Sequence, residues 1–387
     1  MGQVFDLTDP RTVNLWDQKA EMEVRGYSAL LDPDNGLMGA PDSGALVVTK
    51  DEMSSGGKGA LVRMKMIYQL EQRGRQGAEV AKGHGEGYKD ATFDVYANRL
   101  RFVYTSEDPM AQQAVPEDVL DTGSALLGDL MARRQALALH LHATGISTIT
   151  DNAYRLHNTI NAVNSEYILR PNGKSANNLT SSDTFDVNLL NDANRLVSLI
   201  RPRIRPASTP WGPKFCLFLA PEQIHSLRES DSQWYAAMTA KIQGGDGESG
   251  IFSRALGVWL DFVIFSDLFV PPGVDSDSSP TVGLSDTRRA WVGGANALAL
   301  AHAKGYRNDP AYAANRYRWD FESEDFGSQM DIALTTNVGV ARPRFTRPGE
   351  ASAREAGVVV IETFASKGGL SDATVYDEWI DAGLTIS

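Results

Sequence analysis

Residues 54–66, SSGGKGALVRMKM, and residues 88–102, YKDATFDVYANRLRF, decide how this chain is read. Val62, Met64 and Met66 alternate with Arg63, Lys65 and Ile67, and Phe93, Val95 and Ala97 alternate with Asp94, Tyr96 and Asn98. Period-two alternation predicts two strands. The glycine-rich stretch between them, GRQGAEVAKGHGEGYKD at 74–90, reads as a flexible tip. Residues 56–105 are therefore expected to form one long two-stranded ribbon. A lone hairpin is marginal in water because nothing covers its apolar face, so the ribbon is expected to lie on something else, with a neighbouring subunit as the natural candidate.

Charge supports that reading. Residues 56–105 hold nine basic and five acidic side chains, a surplus of +4, whereas the whole chain stands at −12, which leaves −16 elsewhere. Such asymmetry suits a basic arm resting on an acidic surface of another copy. Arg63, Lys65, Arg73 and Arg75 are the candidates for ion pairing across subunits. The stretch from Glu107 to Asp129 has six acidic residues and no basic one. Its Glu107, Asp108, Glu117, Asp118 and Asp121 are the candidate partners. Exposed pairs contribute about 0–1 kcal/mol each, so they set register more than strength. A solvated hairpin with scattered charges is the alternative.

Length and composition narrow the function classes. A chain of 387 residues holds two or three compact units, and 42% hydrophobic with 22% charged residues is a globular composition. No run approaches the roughly 20 apolar residues of a membrane helix. The opening MGQVFDLTDP lacks the basic and apolar regions of a signal peptide, and Asp6 stands where a myristoylation motif wants Ser or Thr; a cytoplasmic protein is expected. The acidic balance argues against simple wrapping of nucleic acid. A single cysteine, Cys216 in FCLFLA, excludes an internal disulfide framework and reads as a small buried hydrophobe.

Along the chain, Asp9 to Tyr27 is predicted helical, with Val13, Trp16, Ala20 and Val24 on one stripe. After the ribbon, Pro116, Glu117 and Asp118 open a long helix that runs to Thr144 and stops at Gly145. A second helical pattern spans Val187–Ile200, and then the pattern turns to α/β alternation. Strands are predicted at Lys214–Leu219, Val258–Phe265 and Ala290–Gly293, and helices at Pro221–Leu227, Trp234–Ile242 and Ala295–Ala303. Trp319–Val340 and Val358–Phe364 return to strand-like alternation and are expected to pair with an earlier domain.

Catalytic motifs are not found. Gly173-Lys174-Ser175 ends like a phosphate loop, but Ile168 replaces the required glycine and Pro171 removes an amide. An Asn-Gly turn is the better reading. Gly83-His84-Gly85-Glu86-Gly87 is followed by no helix start. His140 and His142 lie two apart on a helix and so face different directions, a poor metal pair. Asp275 and Asp277 lack the glycine and glutamate of a calcium loop. Two Arg-Pro clusters stand apart: RPRIRP, with Arg201, Arg203 and Arg205, and RPRFTRP, with Arg342, Arg344 and Arg347. Proline stiffens each, and the grouped guanidinium groups suit phosphate or carboxylate partners. They read either as contacts to packaged nucleic acid or an acidic neighbour, or as solvated linkers.

The order of these elements resembles the major capsid proteins of tailed phages with the Hong Kong 97-type fold, especially the N-four-type capsid family. The residues that carry the resemblance are LTDPRTVNLWDQKAEMEVR, the two ribbon segments, the helix ending in HATG, LAPEQIHSLRESDSQW, IFSRALGVWLDFVIFSD and RRAWVGGANALALAHAKG. The resemblance implies an α+β fold with an N-terminal arm (1–53), an extended loop (54–106), a peripheral domain with a spine helix (107–186), an α/β axial domain (187–317) and return strands of the peripheral domain (318–387). It implies a structural protein rather than an enzyme, without cofactor, metal or catalytic residues. Such a protein self-assembles through pentamers and hexamers into an icosahedral shell around double-stranded DNA, which it contacts non-specifically. The implied partners are a separate scaffolding protein, because the arm-like helix begins almost at Met1, together with a portal and a decoration protein. No membrane is involved, and the shell is a virion capsid assembled in the host cytoplasm. An encapsulin-like compartment around a cargo enzyme is the first rival, and an unrecognised soluble enzyme the second.

Overall fold

A computed structural model describes residues 28–32, 35–50, 61–67, 74–80, 82–87, 90–105, 119–200, 203–231, 255–275, 282–302, 316–324, 329–346 and 353–386. The predicted helices at 9–27 and 234–242 lie outside them. The chain begins with β1 (Met38–Gly39) and β2 (Val47–Lys50), then β3 (Leu61–Ile67), β4 (Asp90–Tyr96) and β5 (Asn98–Thr105). A helix of 26 residues, α1 (Val119–Thr144), follows, with α2 (Asn152–Arg155), β6 (Ile168–Leu169) and α3 (Val187–Leu199) after it. Next come β7 (Ala207–Thr209), β8 (Gly212–Leu219), α4 (Pro221–Ser230), β9 (Ala255–Trp259), β10 (Phe262–Ser266) and β11 (Pro272–Asp275). The remainder is almost all strand: β12 (Val282–Gly293), β13 (Leu298–His302), β14 (Tyr317–Glu324), β15 (Gln329–Ala341), β16 (Arg344–Phe345), β17 (Arg354–Glu355) and β18 (Val358–Phe364), closed by the short helices α5 (Asp372–Val375) and α6 (Asp377–Asp381).

These strands build two large sheets and two of two strands each, β3-β4 and β16-β17. The six-stranded sheet runs β1-β2-β13-β15-β14, with β5 on β15, and the eight-stranded sheet runs β6-β18-β12-β8-β10-β9, with β11 on β12 and β7 on β8. Helix α1 packs on β15 and β5 and reaches β12, so one rod braces both sheets. At about 1.5 Å per residue it is roughly 39 Å long. Its end is local chemistry: Gly145 adopts φ +72° and donates to the Leu141 carbonyl, the left-handed stop that glycine allows. The core is continuous through both sheets. Phe218 stacks on Trp291 at 4.5 Å and on Phe265 at 5.2 Å, and β8, β10, β12 and β18 supply runs with no exposed surface because layers cover both faces.

Several sequence expectations change here. The ribbon ends at Tyr96: β3 and β4 pair with each other, while β5 leaves to join β15. The strand expected at Val258–Phe265 is a hairpin, β9 and β10, turned at Leu260 with φ +49°. The helix expected at Ala295–Ala303 is instead β13, a strand between β2 and β15. The two late segments do pair back, but to different sheets: β15 with β5 and β13, and β18 with β12. The linear split at 317 therefore does not separate the sheets, since β13 precedes it and belongs with β15, while β18 follows it and belongs with β12.

Candidate functional site

Strands β3 and β4 pair in register from Leu61↔Tyr96 to Ile67↔Asp90, which puts Val62 opposite Val95, Arg63 opposite Asp94 and Met64 opposite Phe93. The two faces consequently differ. On the apolar one, Val62 and Val95 are buried with Ala97 against Ala299, Ala301 and Ala341, and Met64 and Phe93 pack beside them. Phe93 meets Phe345 edge-on at 6.1 Å. The ribbon's base thus sits on small residues of β13 and β15, within its own subunit.

The polar face is a set of closed pairs rather than bare cations. Arg63 grips Asp94 with two hydrogen bonds of 2.7 and 3.0 Å, the bidentate geometry that suits guanidinium and carboxylate. The Arg63 hydrogen bond holds the Asp94 carboxyl below its usual range. Lys65 lies 3.1 Å from Asp90, and Arg75 lies 3.7 Å from Glu79 across one turn of the tip. Arg63, Lys65 and Arg75 are thus brought together with acids of the same ribbon. Arg73, Glu107, Asp108, Glu117 and Asp118 lie outside the described residues, and Asp121 is in the first turn of α1 with its side chain outside them. At the tip, Val80 is 70% exposed.

In the second Arg-Pro cluster, Arg342 and Arg344 are held by groups of the subunit itself. Arg342 is buried and donates to the carbonyls of Ala143 at 3.1 Å and Asn161 at 2.7 Å, so it caps the C-terminus of α1 with a cation. It also lies 2.9 Å from the Glu355 carboxylate, which Arg344 approaches at 3.2 Å. Burial pulls the Arg342 guanidinium down to about 10, against the opposing pull of Glu355. In the first cluster Arg203 and Arg205 are exposed on either side of buried Ile204. Arg201 and Arg347 lie outside the described residues.

The remaining motifs have structural partners. Lys174 of the Gly-Lys-Ser sequence is bound to Asp183 at 2.6 Å, and its hydrogen bonds, with those of Thr180, bring the Asp183 carboxyl down to about 2. The preceding Asn172 and Gly173 form the tight turn, both at positive φ. Cys216 is fully buried, and burial pushes its thiol up. The two helical histidines do diverge. His140 accepts from the Trp291 indole at 3.0 Å and faces Asp267 at 3.3 Å, whereas His142 donates to the Arg155 carbonyl at 2.8 Å. Asp267 in turn accepts from Ser28 at 2.5 Å, tying the segment before β1 into the core beside α1. Among the described residues no three His, Cys, Asp or Glu side chains gather as metal ligands, and no helix is long and apolar enough to cross a membrane.

Sequence reasoning missed the residues that seat the ribbon: Asn158, Gly339 and Phe345. Asn158 accepts from the Tyr96 amide at 2.9 Å and donates to the Tyr96 carbonyl at 2.8 Å. A Cβ on Gly339 would fall 1.9 Å from that same carbonyl oxygen, so β15 and the ribbon cross only because residue 339 has no side chain. The isolated glycine in the TTNVGVA strand pattern was the available signal for a close backbone approach.

Comparison with known proteins agrees with this architecture. A family model described as phage capsid protein matches residues 9–367. The capsid protein of Ralstonia phage GP4 superposes with a TM-score of 0.71 at 22% identity, covering 89% of this chain and 93% of that one. The Cyanophage Pam1 capsid gives 0.62 at 13% identity over 88% and 93%, and that of Helicobacter pylori bacteriophage KHP30 gives 0.57 at 13% over 86% and 90%. No curated protein sequence matches.

Proposed function

The chain belongs to the phage capsid protein family and forms the phage head, and from that premise we propose that its β3–β4 ribbon is the arm through which subunits join. The family is structural, not an enzyme class. The observation that carries the proposal is that the ribbon is a sheet of two strands, paired with neither large sheet. Its base rests on the subunit, and its tip presents Val80 and charged side chains to solvent. Many such modest contacts, multiplied by symmetry, stabilise a closed shell far beyond one pair.

In the finer reading, pentamers and hexamers close an icosahedral shell around double-stranded DNA in the host cytoplasm, aided by a separate scaffolding protein, with portal and decoration proteins joining it. The ribbon's Arg63, Lys65, Arg73 and Arg75 face the acidic stretch of a neighbour at Glu107, Asp108, Glu117, Asp118 and Asp121. To do so Arg63, Lys65 and Arg75 exchange or share the acids they hold within the ribbon. Exposed Arg203 and Arg205, together with Arg201 and Arg347, are the candidates for DNA or an acidic neighbour.

Purified full-length protein, imaged by electron microscopy and assayed for co-purifying nucleic acid and protein, tests this. Closed shells containing DNA are expected. A monomer or dimer under all conditions overturns the reading, and shells around a single co-purified enzyme point to the encapsulin-like alternative.

A further inference from the structure

Strand β4 ends at Tyr96 and β5 begins at Asn98, so one buried residue, Ala97, separates a strand of the ribbon from a strand of the six-stranded sheet. The backbone at Tyr96 and Ala97 therefore sets the direction in which the ribbon leaves the body. Tyr96 is held there by an unusual device. Both of its backbone polar groups bond to one side chain, the Asn158 amide, which stands where a neighbouring strand would otherwise stand. Asn158 is buried and spends its second amide hydrogen on the Leu156 carbonyl at 3.2 Å, so its orientation is fixed. The Tyr96 carbonyl also abuts the bare Cα of Gly339, so β4 can shift toward β15 no further.

The loop that presents Asn158 is strained. Leu156 and His157, just after α2, both adopt positive φ, +47° and +67°, in a sequence with no glycine to ease it. Conformations of this kind persist where the surroundings over-determine them, and they gather at sites with a task. Here Leu156 is fully buried, and the His157 ring lies 3.5 Å from the Asn98 side chain on the far side of the pivot. The loop thus touches the chain both before and after Ala97.

We propose that Asn158 is a positioning residue for assembly: acting through Tyr96, it sets the angle at which the β3–β4 ribbon leaves the subunit and so the place where the ribbon meets a second copy of the chain. This rests on the reading of the ribbon as the joining arm. A fixed angle confines the ribbon to one landing place per neighbour, and a loosened one admits several, which breaks the uniform geometry that a closed shell requires.

The test uses full-length Asn158→Ala and Asn158→Asp beside the parent, with residue-resolved amide exchange on unassembled subunits and electron microscopy of assembled ones. Asn158→Ala removes both hydrogen bonds to Tyr96 and is expected to speed exchange at Tyr96 and along 62–66 by roughly tenfold or more, while exchange at 216–219 stays at the parent rate. Its particles are expected to vary in size. Asn158→Asp keeps the acceptor for the Tyr96 amide and loses the donor, so it is expected to fall between the two, and it carries the test where Asn158→Ala does not fold. Unchanged exchange at Tyr96, or parent-like particles from a subunit with a loosened ribbon, overturns the proposal. A parent protein that forms no shells overturns the functional reading instead, and the exchange comparison still decides whether Asn158 holds the ribbon.

Discussion

The ribbon and the eight-stranded sheet are made from similar strands and are held in opposite ways. In the sheet, Phe218, Phe265 and Trp291 stack in a layer closed to water, and buried Glu362 is gripped by Arg289 at 2.7 Å and Arg170 at 2.5 Å. In the ribbon, alanine-sized contacts support the base, and exposed ion pairs line the outer face. Burial in the sheets stabilises the subunit, whereas the ribbon's outer ion pairs are exposed and contribute little each, and this is the face proposed to meet a partner.

That contrast can be broken from the sheet side first. Glu362→Ala leaves two cations facing each other without a carboxylate, a change expected to cost about 3–5 kcal/mol and to be read as a lower denaturant midpoint, with exchange in β3 unchanged until global unfolding. A loss below 1 kcal/mol would break the assignment of stability to this layer. Acid is the next lever. Burial pushes His142 down to about 4, with nearby Arg342 and Arg155 adding repulsion. The folded state thus prefers neutral histidine. The stability from this preference is complete above the ordinary value near 6.5 and is lost as pH falls from there through about 4, a change of roughly 3 kcal/mol. Denaturant melts at pH 7, 5.5 and 4 check it, and His142→Gln should flatten the decline. On the ribbon side, Arg63→Gln opens the pair with Asp94 in an exposed position and should leave the melting temperature within error of the parent. A clear drop would show that the ribbon contributes to the fold.

Much of the architecture was legible where local chemistry and tertiary context agree. The spine helix stops at Gly145 as its glycine predicts, β8 is the apolar run from Lys214, and Pro221 opens α4. The failures occur where distant contacts win. Leu298–His302, in ANALALAHA, has good helix formers, but pairing with β2 and Ala341 of β15 makes it a strand, and small side chains there admit the ribbon's base. Leu260 turns a hairpin at positive φ without the Gly or Asn that marks such turns. Arg342 and Arg344 read as outside contacts or as solvated linkers because their partner, Glu355, lies beyond Pro348 on a later strand, and because the α1 carbonyl that Arg342 caps is about 200 residues upstream. Asn158 had no sequence signal. Its role depends on a strained loop meeting a strand end 62 positions away.

With the ribbon as the joining arm, subunit stability and shell formation reside in different parts of one chain. The most direct test is to excise residues 74–87, bridge the ribbon with a short Gly-Ser turn, and compare thermal melting and electron micrographs with those of the parent. An unchanged melting temperature and no closed shells are expected. Parent-sized shells from the shortened subunit would contradict this.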